Sequence, residues 1–135
     1  MRRVFADTAY GIALTNRKDQ LHARAMAVSR SLGAAGLFPT DEVLTEFLAH
    51  FRGHGPVLRD LAARTVGDLL ADPAIEVKSQ SRRSFLDGLS LYRARPDKGY
   101  SLTDCVSMTW MRHERIAEVL THDAHFTQEG FVVLL

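Results

Sequence analysis

Apolar and polar positions along this chain group into short buried runs separated by amphipathic stretches. Arg3-Val4-Phe5-Ala6-Asp7 predicts a buried strand, and Thr8 to Leu14 a helical turn or two closed by the polar Thr15-Asn16-Arg17-Lys18. Leu21, Ala25, Val28 and Leu32 recur at helical spacing, so residues 19–32 predict an amphipathic helix, with Gly33 and Gly36 bracketing its end. Leu37-Phe38-Pro39 predicts a second strand. A helix from Thr40 follows, with Val43, Leu44, Phe47, Leu48 and Phe51 as its apolar arc.

Gly53-His54-Gly55-Pro56 breaks the chain, and Val57 to Leu70 resumes helical spacing until Asp72-Pro73. Ile75-Glu76-Val77 predicts a brief strand, and Ser79 to Ala94 a helix ended by the turn Arg95-Pro96-Asp97-Lys98-Gly99. Ser101 to Glu114 is helical and apolar nearly all round, as a central buried helix is. Ile116–Leu120 and Phe131–Leu135 predict the last strands, around a turn at Asp123–Gly130. Strands alternating with helices favour a parallel sheet covered on both faces, a three-layer α/β/α arrangement.

Composition narrows the class without naming a function. At 135 residues, 46% hydrophobic and 24% charged, the chain is expected to form one globular domain over residues 1–135. Its formal charge of +1 is too small to argue for nucleic acid, but its distribution is uneven. Residues 78–98 carry Lys78, Arg82, Arg83, Arg93, Arg95 and Lys98 against Asp87 and Asp97, and the remainder is net acidic. The single Cys105 excludes an internal disulfide and fits a reducing compartment. No apolar run approaches the ~20 residues of a membrane span, and no apolar signal region follows Met1-Arg2-Arg3. A cytoplasmic protein without membrane contact is the expectation.

Candidate chemistry lies where apolar runs turn polar. Asp7 ends the first strand, and Asp123 follows Val119-Leu120-Thr121-His122; Glu46 and Asp104 lie early in helices. In an open α/β sheet these places converge on the crevice at the carboxyl ends of the strands. Carboxylates meeting there repel one another unless a cation lies between them, and oxygen donors without thiolates point to Mg²⁺ or Mn²⁺. Each acid also has a structural explanation. Asp7 and Asp123 stand where helix caps stand, Ser101-x-x-Asp104 matches a capping box, and Glu46 is as well placed on its helix as Asp41 to be a solvated residue. Asp104 is the hardest to explain in that way, because Leu102, Val106, Met108, Trp110 and Met111 occupy the other faces of its helix.

Other chemistries find less support. His122 and His125 flank Asp123, but no second His or Cys pair stands at zinc spacing. Cys105 fits a small core residue, Ser101 a helix cap, and no phosphate-binding glycine loop is present. Arg82 and Arg83 fit a solvated helix face, while Arg93, Arg95 and Lys98 lead directly to the Asp104 helix and are candidates to hold a polyanion there.

On these residues the chain resembles the PIN-domain ribonucleases, especially the VapC-type toxins. The matching pieces are Val4-Phe5-Ala6-Asp7-Thr8, Val43-Leu44-Thr45-Glu46-Phe47-Leu48, Ser101-Leu102-Thr103-Asp104-Cys105-Val106-Ser107 and Leu120-Thr121-His122-Asp123-Ala124-His125-Phe126, in the family's order. The resemblance implies a PIN-like nuclease domain with a five-stranded parallel sheet, acting as a Mg²⁺- or Mn²⁺-dependent endoribonuclease. Asp7 and Asp104 become direct ligands of the main ion. Glu46 and Asp123 bind through water, complete a second site or orient the nucleophile, with Thr8, Thr121 and His125 supporting them. A carboxylate-held ion supplies both an activated water and charge neutralisation for phosphodiester hydrolysis. The resemblance further implies an RNA substrate, a cognate antitoxin and a homodimer. One departure is visible: a glycine common between the third and fourth motifs is replaced in the stretch His113-Glu114-Arg115. Residues 53–98 match no motif. A non-catalytic binding module and a housekeeping RNA-processing nuclease remain the alternatives, though none of the acids that a binding module could dispense with is missing.

Overall fold

Val4 and Phe5 are adjacent in sequence and both fully buried, because consecutive strand residues face opposite layers. A computed structural model describes residues 1–135. Its elements, in chain order, are β1 (Arg3–Ala6), α1 (Thr8–Thr15), α2 (His22–Leu32), β2 (Gly36–Phe38), α3 (Asp41–Phe51), α4 (Pro56–Ala71), α5 (Arg82–Ala94), α6 (Leu102–Glu114), β3 (Glu118–Leu120), α7 (Ala124–Gln128) and β4 (Val132–Val133).

The strands form one parallel sheet in the order β2-β1-β3-β4, with Phe5 opposite Phe38 on one side and Val119 on the other. Phe5, Phe38 and Val119 pack with Cys105, Met108, Trp110 and Met111 of α6. On the opposite face Val4 and Leu120 pack with Tyr10 and Ala13 of α1 and Ala25 of α2. Helices thus cover both faces, as the alternation of strands and helices predicted. The chain moves from β1 to β2 in one direction and later places β3 on the other side of β1. That reversal opens a crevice at the carboxyl ends of β1 and β3.

The sheet has four strands, not the five implied by the family resemblance. Residues 75–78 do run beside β2, through isolated parallel bridges Leu37–Ile75 and Thr40–Lys78. Glu76 donates to the Leu37 carbonyl at 3.0 Å and Lys78 to that of Pro39 at 2.9 Å. Pro39 has no N–H to return a bond, so the ladder is interrupted where it would become continuous. A second difference lies at Asp123–Gly130, read as a turn, which contains the short helix α7.

Helix α6 reaches the core because α5 allows close approach. A Cβ built on Gly88 would lie 2.5 Å from Val106 Cγ2 and 3.1 Å from the Val106 nitrogen. At its far end α6 closes on Arg115, which adopts the left-handed conformation at φ 59°. Arg115 donates to the Arg112 carbonyl at 3.2 Å and Ile116 to that of Met111 at 2.8 Å, the pair of bonds that closes a Schellman turn.

Candidate active site

Asp7 leaves β1 at the N-cap position of α1 but its side chain does not cap that helix. Its Oδ2 instead accepts the Thr121 hydroxyl at 2.8 Å. Thr121 follows β3, and its Oγ1 in turn accepts the Asp123 N–H at 3.1 Å. The backbones are already joined, since the Asp7 N–H donates to the Leu120 carbonyl at 3.2 Å. Neighbouring parallel strands therefore deliver two acids to one crevice, and a buried threonine spaces them.

Asp104 arrives from the other side, on the first turn of α6. Its Oδ2 accepts the Ser101 N–H at 3.1 Å while its own N–H donates to Ser101 Oγ at 3.0 Å. Asp123 caps α7 through Oδ1, which accepts the His125 N–H at 2.9 Å. The capping explanations for these two acids are thus correct as far as they go. In each case the cap engages one carboxylate oxygen, Oδ2 of Asp104 and Oδ1 of Asp123.

His125 sits closer to the acids than a supporting position requires. Its Nδ1 lies 3.2 Å from Asp123 Oδ1 and 3.9 Å from Asp104 Oδ2, buried and without a hydrogen bond of good geometry. The ring packs edge-on against Tyr100 at 5.1 Å, with Gly99 beside its Nε2 edge. Asp104, Asp123 and His125 each offer a donor atom, all within 4.8 Å of one another.

The acids couple electrostatically. Burial pushes the Asp7 carboxyl up to about 7; the Thr121 hydroxyl opposes the rise, and the charges of Asp104 and Glu46 add to it. Burial also raises the Asp104 carboxyl, against the Ser101 N–H and with help from the charges of Asp123 and Glu46. The charge of Glu46 on α3 is felt at both, while the donor atoms that lie within 4.8 Å of one another belong to Asp104, Asp123 and His125. Asp41 is engaged elsewhere: its Oδ2 accepts the Gln80 N–H at 2.9 Å and holds the approach to α5. Thr8 Oγ1 is a further buried polar atom without a partner next to Asp7.

The basic residues divide. Arg93 and Lys98 are exposed at and beyond the end of α5 that leads to Asp104, and Lys98 lies 3.5 Å from Asp97. Arg95 is engaged elsewhere: with Arg112 it clamps Glu129, whose side chain is only 5% exposed. The Arg112 Nη2–Glu129 Oε2 distance is 2.6 Å. This clamp ties the end of α5 and the last turn of α6 to the end of α7, and no sequence pattern marked Glu129 in advance. Arg82 and Arg83 start α5 at the opposite end of the α5–α6 pair. Arg83 pairs with Asp87 at 3.1 Å and shares a groove with His113, which stands roughly 14 Å along α6 from Asp104.

No family model and no curated protein sequence matches the chain. Among solved structures it is similar to Mycobacterium tuberculosis VapC20, a sarcin-ricin loop cleaving toxin. The TM-score is 0.85 over 96% of each chain, at 22% sequence identity. The likeness shows the fold, the parallel α/β architecture of VapC-type PIN proteins.

Proposed function

We propose that this chain is a metal-dependent endoribonuclease, the toxin of a type II toxin–antitoxin pair, hydrolysing RNA at the cluster Asp7, Glu46, Asp104 and Asp123. One observation carries the reading. Acids from separate elements converge on one crevice, and the carboxyls of Asp7 and Asp104 are both raised there. Carboxylates left so poorly compensated fit a site built around a cation. The donors are oxygens with one imidazole, and the unpartnered Nδ1 of His125 faces two of the acids. Mg²⁺ or Mn²⁺ fits that set, the imidazole favouring Mn²⁺ of the two.

When bound, such an ion supplies charge for the transition state and lowers the pKa of an attacking water. Asp7 and Asp104 are the proposed direct ligands. Asp123 and Glu46 flank them, holding the ion through water or orienting the nucleophile. Thr121 keeps Asp7 at a fixed distance from Asp123. Tyr100 and Gly99 hold the His125 ring beside the acids. Arg93 and Lys98 draw the phosphate backbone toward a crevice that would otherwise repel it.

The toxin assignment is supported by likeness to a VapC toxin over 96% of both chains. It brings with it a cognate antitoxin, a homodimer and action in the cytoplasm. Retention of all four acids disfavours a non-catalytic binding module. The test is cleavage of total RNA with Mg²⁺ or Mn²⁺, with Asp104→Asn as the control. Wild-type protein is expected to cut only with the ion, and the variant not to cut although it folds. Equal cutting by both proteins overturns the assignment.

A further inference from the structure

Helix α5 turns an apolar face outward. Its inner side, with Gly88 and Leu91, packs on α6. On the outer side Phe85 is 40% exposed, Leu86 46% and Tyr92 50%. Leu89 lies between them, and the exposed Arg82 and Arg93 share the same arc at helical spacing. The Arg82 guanidinium already lies over the Phe85 ring, 5.4 Å from its centroid.

A soluble helix does not gain from leaving two aromatic rings in water, so this face fits a partner. Charge selects among partners. The outer arc carries arginines at both ends and no acid, because Asp87 lies off the arc and is paired with Arg83. A second copy docking α5 against α5 in antiparallel fashion sets Arg82 against Arg93 at both ends. A polyanion meets no such repulsion, and its bases offer flat faces to Phe85 and Tyr92. The rings stand two helical turns apart, about 10 Å along the axis. From Tyr92 the chain continues past Arg93 and Lys98 to the helix that carries Asp104.

We infer that the outer face of α5 is a stacking platform for single-stranded RNA, binding unpaired bases on Phe85 and Tyr92 and flanking phosphates on Arg82 and Arg93. It delivers the strand to the acid cluster from a segment for which no family motif supplies a role. This rests on the nuclease reading and adds to it how substrate is held.

The test is fluorescence anisotropy with a labelled single-stranded oligoribonucleotide of mixed sequence, in chelator so that nothing is cut. Phe85→Ala and Tyr92→Ala are each expected to weaken binding about tenfold, while Phe85→Tyr retains it. All three are expected to melt like the wild type, since the rings are half exposed. A blunt RNA duplex, whose bases stack on one another, is expected to show no loss with either alanine variant. Wild-type affinity in both alanine variants overturns the platform, as does an equal loss on single strand and duplex. Unchanged RNA affinity with loss of self-association in light scattering also overturns it, and assigns the face to a protein interface. If the wild type cuts and binds RNA in these outcomes, only the platform fails. A wild type that neither binds nor cuts RNA overturns the nuclease reading as well.

Discussion

Asp7 and Thr121 stand 114 residues apart in sequence, and the Thr121 hydroxyl donates to Asp7 Oδ2 at 2.8 Å. Thr121 Oγ1 also accepts the Asp123 N–H, so one buried threonine sets the separation of two acids from neighbouring strands. Thr121→Val keeps the shape and removes both bonds. It is expected to lower divalent affinity or RNA cleavage by roughly 10- to 100-fold, as loss of a partner that orients a ligand does. Cleavage rates titrated against Mn²⁺ check this, with thermal melting to show that the fold persists.

The raised Asp7 carboxyl makes metal-free stability depend on pH in a defined direction. Its folded value of about 7 lies above the ordinary 3.8, so the native state holds the proton more tightly than the unfolded chain. The Asp7 contribution to metal-free stability is therefore complete below about pH 4, is lost as pH rises toward about 7, and is level above that. The loss is on the order of a few kcal/mol, and Asp104 adds to it in the same direction. Asp7→Asn is expected to flatten the profile and raise the melting temperature in chelator at neutral pH. Melting curves across that range, with and without Mg²⁺, measure it. A metal-free profile that rises between about pH 4.5 and 7, with no flattening in Asp7→Asn, contradicts the burial of Asp7.

Glu129 behaves in the opposite way. The hydrogen bond from Arg95, followed by Arg112, holds its carboxyl down at about 2 against an ordinary 4.5. Its contribution is complete above about pH 4.5 and fades as pH falls toward 2. Glu129→Gln is expected to cost about 1–3 kcal/mol near neutrality, with the gap from wild type narrowing in acid. Denaturant unfolding at neutral and acidic pH checks both halves.

Arg115 occupies, at φ 59°, a backbone conformation that glycine enters without steric penalty. Arg115→Gly is expected to stabilise the protein by roughly 0.5–1 kcal/mol. Gly88→Ala has the opposite sign, since its Cβ meets Val106, and is expected to cost about 1–3 kcal/mol. Urea midpoints of the two variants should move in opposite directions.

The sequence made the crevice legible because its determinants are local. Val4-Phe5-Ala6-Asp7 announces a strand and its polar end without reference to anything distant. Features that depend on remote partners were not legible. Glu46 and Asp41 look alike on the helical wheel, and only the position of Gln80 commits Asp41 elsewhere. Glu129 lies 34 residues from Arg95 and 17 from Arg112, beyond the reach of any periodicity. Ile75-Glu76-Val77 does have strand-like sequence. What prevents a fifth strand is Pro39 in the segment beside it, a property of the neighbour and not of the run itself.

The most direct measurement is calorimetric titration of Mn²⁺ into metal-free protein, comparing wild type with Asp104→Asn. Wild type is expected to show saturable binding at millimolar Mn²⁺ or below. The variant is expected to lose it while melting at the wild-type temperature or above, because a raised carboxyl has been removed. Undiminished binding in the variant, or none in the wild type, contradicts a cation site built from these acids.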